Sequence, residues 1–262
     1  MKHFGRNKEA QIKAMVCLVL ISAVITLLVT SLPVQASKMD DRIELSAKQS
    51  YLFKTFLKDD DIKILSRDGA VTLTGIVADN FNRSLAQETV AGLPGVKSVD
   101  NRLEIKGAPP TANSDAWLRD KVKATLLFHR SVNGFKTEVD VKDGIVTLRG
   151  NAASQAQKEL TTEYSKDVDG VKEVKNEMIV AKIPKKTRTA GEKIDDASIT
   201  AQVKMTLMYH RSTSAFNTKV KTKRGVVTLY GKAGNAAALD LATKLVSDVN
   251  GVKGVKNRMT IE

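Results

Sequence analysis

Gly225-Val226-Val227-Thr228-Leu229-Tyr230-Gly231 has two earlier copies, Gly69-Ala70-Val71-Thr72-Leu73-Thr74-Gly75 and Gly144-Ile145-Val146-Thr147-Leu148-Arg149-Gly150. In each, Val and Leu fall on one side of an extended strand, and Thr with a variable residue falls on the other. Each copy therefore reads as a half-buried strand with one wet face. The first glycine follows Asp68, Asp143 or Arg224, and such a pair between apolar runs marks a two-residue hairpin turn at positive φ. Another strand must precede each copy. The closing glycine lies on the Val/Leu side, where a missing side chain is expected to let a covering helix approach closely.

A second anchor, Gly-Val-Lys-x-Val-x-Asn, recurs at Gly95 to Asn101, Gly170 to Asn176 and Gly251 to Asn257, each time 26 residues after the first glycine of the strand motif. That fixed distance defines a module. Between the anchors, helical spacing picks out Phe81, Leu85 and Leu93, then Ala156, Leu160, Tyr164 and Val168, then Ala237, Leu241, Leu245 and Val249. After the second anchor, alternation returns as a closing strand: Val99, Asn101, Leu103 and Ile105, with counterparts from Val174 to Val180 and from Val255 to Ile261. Upstream, Asp115 and Asp196 read as N-caps of helices carrying Leu118, Val122, Leu126 and Ile199, Val203, Leu207. The first copy is more degenerate, with Leu45, Phe53, Phe56 and Leu57 as its stripe and a helix-to-strand loop read as six residues shorter. The expected architecture is α+β: three tandem modules, each α-β-β-α-β, with a three-stranded mixed sheet covered on one face by two helices.

The organisation expected is a signal segment at 1–36, modules at 41–107, 114–182 and 195–262, and a basic link at 183–194. Lys2, Arg6, Lys8 and Lys13 precede a run from Ala14 to Ser37 without a charge, ending in Val34-Gln35-Ala36, which resembles a signal-peptidase site. Pro33 is expected to break the helix before it. The alternative is an uncleaved anchor, since the apolar run is long enough to span a bilayer. Cys17, the single cysteine, lies inside that run, so the exported part carries no disulfide and each module rests on packing. The net charge of +13 is uneven. Residues 41–107 balance ten bases against ten acids and 114–182 hold twelve against eleven, whereas 195–262 hold eleven against five.

Gly-x-Val-Thr-Leu-x-Gly followed at this distance by Gly-Val-x-x-Val-x-Asn, with an amphipathic helix on either side of the hairpin, resembles the BON domain (bacterial OsmY and nodulation). The resemblance covers three tandem copies, nearly all of residues 41 to 262. It implies a bacterial envelope protein, often periplasmic and induced by osmotic stress, attached to phospholipid or other envelope surfaces, with no established catalytic residues.

The residues themselves offer little chemistry. His129 and His210 stand at matching positions in Phe128-His129-Arg130-Ser131 and Tyr209-His210-Arg211-Ser212. They lie in different modules without a carboxylate pattern, so they read as helix C-terminal histidines rather than metal ligands or bases. No nucleophile elbow or phosphate loop is present, so neither enzyme nor cofactor is expected. Asn101, Asn176 and Asn257 sit in the apolar phase of the closing strand and read as structural, with ligand contact the alternative. Trp117 and the sparse tyrosines form no stacking platform, which argues against nucleic acid as a partner.

The sharper feature is in the third module, where Lys219, Lys221 and Lys223 alternate with Val220 and Thr222. Phase places them on the sheet face away from the helices, with Tyr230, Lys232, Lys256 and Arg258. The second module puts Glu138, Asp140, Lys142, Arg149, Lys175 and Glu177 there. The expected binding residues are Lys219, Lys221, Lys223, Lys256 and Arg258. They point to a non-enzymatic periplasmic protein that associates with anionic phospholipid or envelope surfaces. Two alternatives stay open: a solvated face whose lysines guard a sheet edge, and a soluble, chaperone-like periplasmic protein acting on other proteins. Export is expected with cleavage after Ala36, so N-terminal sequencing of the envelope fraction should recover Ser37; recovery of Met1 rules cleavage out.

Overall fold

The computed structural model describes residues 32–107, 114–181, 194–213 and 217–261. The charged start and most of the apolar run, and the links at 108–113 and 182–193, lie outside the described residues. The first module runs α1 (Leu32–Gln49), α2 (Tyr51–Thr55), β1 (Asp61–Arg67), β2 (Ala70–Val77), α3 (Asn80–Ala91) and β3 (Ser98–Ile105). The second has α4 (Asp115–Phe128), β4 (Thr137–Lys142), β5 (Ile145–Ala152), α5 (Gln155–Lys166), β6 (Glu173–Asn176) and β7 (Ile179–Val180). The third repeats it as α6 (Asp196–Tyr209), β8 (Lys219–Lys223), β9 (Val226–Tyr230), β10 (Lys232–Ala233), α7 (Ala236–Ser247), β11 (Gly254–Asn257) and β12 (Thr260–Ile261).

In every module the repeated motif is the central strand. It pairs antiparallel with the strand before it and parallel with the closing strand, giving the orders β1-β2-β3, β4-β5-β6 and β8-β9-β11. The turns are of the primed kind: Asp68, Asp143 and Arg224 have φ of 53°, 54° and 53°, and the glycines that follow have 81°, 82° and 79°. Val71, Leu73, Val146, Leu148, Val227 and Leu229 are all buried beneath the helices.

Asp115 and Asp196 are not the N-caps. Ser114 and Asp195 hold those positions, accepting the Trp117 and Ser198 N–H groups. The aspartate one residue on turns to the hairpin instead. Asp115 accepts the N–H groups of Asp143 (2.7 Å) and Gly144 (2.9 Å), and Asp196 those of Arg224 (2.7 Å) and Gly225 (2.8 Å). Asp40 does the same to Asp68 (2.8 Å) and Gly69 (3.0 Å), with the Ser66 hydroxyl added. In all three modules this carboxylate precedes the turn by 28 residues, so the first module's loop is not six residues shorter. Of its expected stripe, Phe53 and Leu57 are buried and Phe56 packs against the core, whereas Leu45 is 55% exposed and Ile43, Ala47 and Leu52 complete the buried face. α1 carries Pro33 and runs on through Val34-Gln35-Ala36 to Gln49; the helix that Pro33 was expected to break lies outside the described residues.

Three other expectations are corrected by the packing. A Cβ on the closing glycines would strike the backbone of the neighbouring strand's entry, not a helix: Asp61 O for Gly75, Lys136 O for Gly150 and Asn217 O for Gly231. On α5 and α7 the expected stripe is buried only at its C-terminal end, at Val168, Leu245 and Val249; earlier in the helices Thr161, Ser165 and Ala242 are buried while Ala156, Leu160 and Ala237 are exposed. The closing strands of modules two and three are each split in two, and their last apolar residues, Val180 and Ile261, are exposed beyond the helices.

The modules pack on one another. The first core continues into Ala124 and Phe128 of α4 and Ala197, Ala201, Met205 and Tyr209 of α6. Phe81 lies against Phe128 with ring centroids 5.7 Å apart, and Lys204 pairs with Glu88 at 2.7 Å. Helix α6 is accordingly buried nearly all round, as a helix apolar on every side must be. Leu148→Ala and Leu229→Ala should each destabilise by about 2 to 5 kcal/mol, the usual cost of truncating a buried leucine. Because the cores interlock, urea unfolding of either variant should show one transition shifted as a whole; two resolved transitions would mean the modules unfold independently.

Candidate functional site

The outward face of the third sheet gathers the five residues expected from the sequence. Strand register aligns Lys221 with Thr228 and Thr228 with Lys256, one row across all three strands. Lys219 pairs with Tyr230, beside which Arg258 arrives just after β11, and Lys223 pairs with Val226. Lys219, Lys221, Lys223, Lys256 and Arg258 are all exposed, and none of them is ion-paired among the described residues. The opposite parity, Val220, Val227 and Leu229, is buried. Alternation alone separates the cations from the core.

The same positions in the second module neutralise themselves. Arg149 pairs with Asp140 at 2.6 Å and Glu177 at 2.9 Å, and these carboxylates hold the guanidinium's proton more firmly than usual. In the first module the positions hold Lys63, Leu65, Arg67, Thr74, Asp100 and Arg102, with Arg102 and Asp100 paired at 2.7 Å. The third face alone is uniformly basic.

The three asparagines are ties between helix and sheet. Asn176 Nδ2 donates to the Lys158 carbonyl (2.9 Å) and Thr162 Oγ1 (2.7 Å), and its Oδ1 accepts the Met178 N–H (3.0 Å). Asn257 repeats this with Leu239, Thr243 and Met259, and Asn101 with Arg83, Gln87 and Leu103. Trp117 covers the ammonium of Lys121 at 4.1 Å. Among the described residues, no group of three or more His, Cys, Asp or Glu could hold a metal ion.

His129 and His210 do cap their helices, yet their surroundings belong to the other module. Each histidine forms an antiparallel bridge across the junction, His129 with Val249 and His210 with Val168. Flanking it, Arg130 N donates to Asp248 O (2.9 Å) and Asn250 N to Phe128 O (2.9 Å); in exchange, Arg211 N donates to Asp167 O (2.8 Å) and Asp169 N to Tyr209 O (2.9 Å). The Arg130 guanidinium adds bonds to the carbonyls of Ser247, Val249 and Val252. Modules two and three thus grip each other reciprocally. Residue-level reading missed this exchange. Its signal was present in two motifs, Phe/Tyr-His-Arg-Ser and Asp-Val-Asp/Asn-Gly, both absent from module one.

Tyr164 stacks on His129 with centroids 4.0 Å apart and donates its hydroxyl to Asp248 (2.6 Å). Burial, with that carboxylate adjacent, pushes the Tyr164 phenol far above its ordinary range. Burial alone would raise Asp248; His129 and the Ser131 and Tyr164 hydroxyls more than offset it and hold the carboxyl down to about 2.

Among described residues, no helix is long and apolar enough to cross a membrane. The chain is 34% identical over 143 residues to osmotically-inducible protein Y of Escherichia coli, covering 53% of this chain and 71% of that one. It is 33% identical over 115 residues to the outer membrane lipoprotein DolP of Haemophilus influenzae, covering 43% of this chain and 59% of that one. Among solved structures, CdsD of the Chlamydia trachomatis type III secretion system aligns over 84% of this chain and 90% of its own at 17% identity, with a TM-score of 0.23, too low to bear on fold or function. The BON domain matches residues 39–107, 114–182 and 195–262, the same three repeats that the strand motif marks out, and the chain belongs to the BON domain family.

Proposed function

We propose that this is a non-enzymatic protein of the bacterial envelope, exported to the periplasm, whose third module associates with anionic phospholipid surfaces. The observation that carries this reading is the outward sheet face of module three: five exposed cations in register, with no acid among them. Its relatives, one named for osmotic induction and one for the outer membrane, support a role at the envelope under osmotic stress. An exposed sheet face of cations suits a charged surface better than it suits a small ligand, because none of the five is buried to fix one molecule. Each basic residue near an anionic bilayer contributes about 1 kcal/mol, and the attraction fades within a Debye length of about 10 Å at 0.1 M salt.

Co-sedimentation with vesicles of phosphatidylglycerol and phosphatidylcholine tests it. Reversing Lys219, Lys221 and Lys223 to Glu should weaken binding roughly 100-fold or more at low salt, as loss of about 3 kcal/mol implies. Reversing Lys63, Arg67 and Arg102 on module one's face should weaken it far less, and raised salt should weaken the parent. If the module-three reversals sediment like the parent, the face is merely solvated, and a role on other envelope proteins takes its place.

A further inference from the structure

His210 sits in the grip between modules two and three, and its two ring nitrogens have different duties. Nδ1 accepts the backbone N–H of Ser212 at 3.1 Å, so the neutral ring carries its proton on Nε2. Nε2 lies 3.7 Å from Asp167 Oδ2, beyond hydrogen-bond reach, and has no partner. It faces a cavity of about 10 Å³ lined by Thr125, His129, Tyr164, Asp167, Thr206 and His210. Ser212 ends the arm by which module three holds module two: Arg211 N donates to Asp167 O, and Arg211 Nη2 to Val171 O at 3.3 Å.

A proton added to this ring must go to Nδ1, the only lone pair left. Nδ1 would then be a donor facing another donor, and the Ser212 N–H would lose its acceptor. We propose that His210 is a pH-sensitive latch: neutral, it holds the Ser212 N–H and keeps the Arg211 arm seated in module two; protonated, it releases the arm and loosens the module two–module three junction.

The groups facing His210 set the balance. Burial lowers its affinity for a proton below the ordinary value of 6.5; Asp167 works the other way, and Arg211 and His129 lower it further. Its counterpart is built differently. His129 Nδ1 stands 3.3 Å from the Asp248 carboxylate, with Arg130 3.9 Å from the same carboxylate and Tyr164 stacked on the ring, and among the described residues no backbone N–H is held by its ring, so the latch belongs to His210 alone. With the closed state binding its proton less readily than the open one, the closed junction is favoured above pH 6.5 and loses ground as pH falls below it.

Amide hydrogen exchange on the full chain tests this at Asp169 and Arg211, whose N–H groups cross the junction. After correction for intrinsic exchange, their protection should fall by up to tenfold for each pH unit below 6.5, as uptake of one proton requires. In His210→Asn, whose Oδ1 can still accept the Ser212 N–H but cannot titrate, protection should stay level. Ring 15N resonances of the parent should show His210 keeping its Nε2 proton and titrating below 6.5. The latch is overturned if His210 titrates at 6.5 or above, if the parent's protection does not change with pH, or if His210→Asn changes as the parent does. Should that variant fail to fold, the parent's ring titration and exchange profile still decide.

Discussion

Everything in a module is referred to one carboxylate. The hairpin turn before the central strand holds two successive residues at positive φ, and its paired N–H groups point outward with no ladder partner. Asp40, Asp115 or Asp196 accepts both, fixing the first helix against the turn. Charge-assisted hydrogen bonds of this kind are the strong ones, and losing the acceptor would leave two donors to find water. For Asp115 those two backbone bonds keep the carboxyl below its ordinary range, and for Asp40 the Ser66 hydroxyl leads the same effect. Once the turn is tied, strand register and the parity of the sheet follow. A slip of β8 by one residue would bury Lys221 and expose Val220.

With the modules built alike, their assembly depends on what differs. Where modules two and three place His and Arg after the first helix, module one has Lys54 and Thr55, with α2 continuing the chain there. Module one thus has no arm to exchange; Phe56 and Phe81 pack against Phe128, and Tyr51 N–H to Asp195 (2.8 Å), Leu52 N–H to Ser198 Oγ (3.3 Å) and the Glu88–Lys204 pair tie it to α6. The reciprocal grip of modules two and three consists of backbone bonds and buried polar groups, which are specific in direction and weak if imperfectly made. The apolar contacts of the first module with α4 and α6 are less directional.

The sequence made the strands and the first helices legible because Val71, Val146 and Val227 do the same work in every copy, and shared work leaves a shared period. The faces of α5 and α7 are legible at Val168, Leu245 and Val249 but not earlier, where the buried residues are Thr161, Ser165 and Ala242; a hydrophobicity count prefers Leu160, which the structure leaves exposed. The aspartate clamp has a constant spacing of 28 residues to the turn, but an Asp at a helix start has an ordinary meaning as a cap, which hides the clamp. The junction could not be read at all from period. Arg130 meets carbonyls 117 to 122 residues away, and no local pattern encodes a partner at that distance. The cationic face was legible for the opposite reason: wet-face residues in a two-residue period are visible from the chain alone, and the five cations stand where phase put them.

The wet face is also where this architecture can vary most cheaply. Val220, Val227 and Leu229 are buried and packed against the helices, but Lys219, Lys221 and Arg258 are exposed. Module two has Glu138, Asp140 and Glu177 in those places, with an unchanged backbone pairing scheme. Lys221 and Lys256 are two strands apart, roughly 10 Å at ordinary strand spacing, which is near the Debye length in dilute salt. Their mutual repulsion is accordingly small, and turning three acids into three bases leaves the fold nearly untouched while changing the sign of the surface it offers.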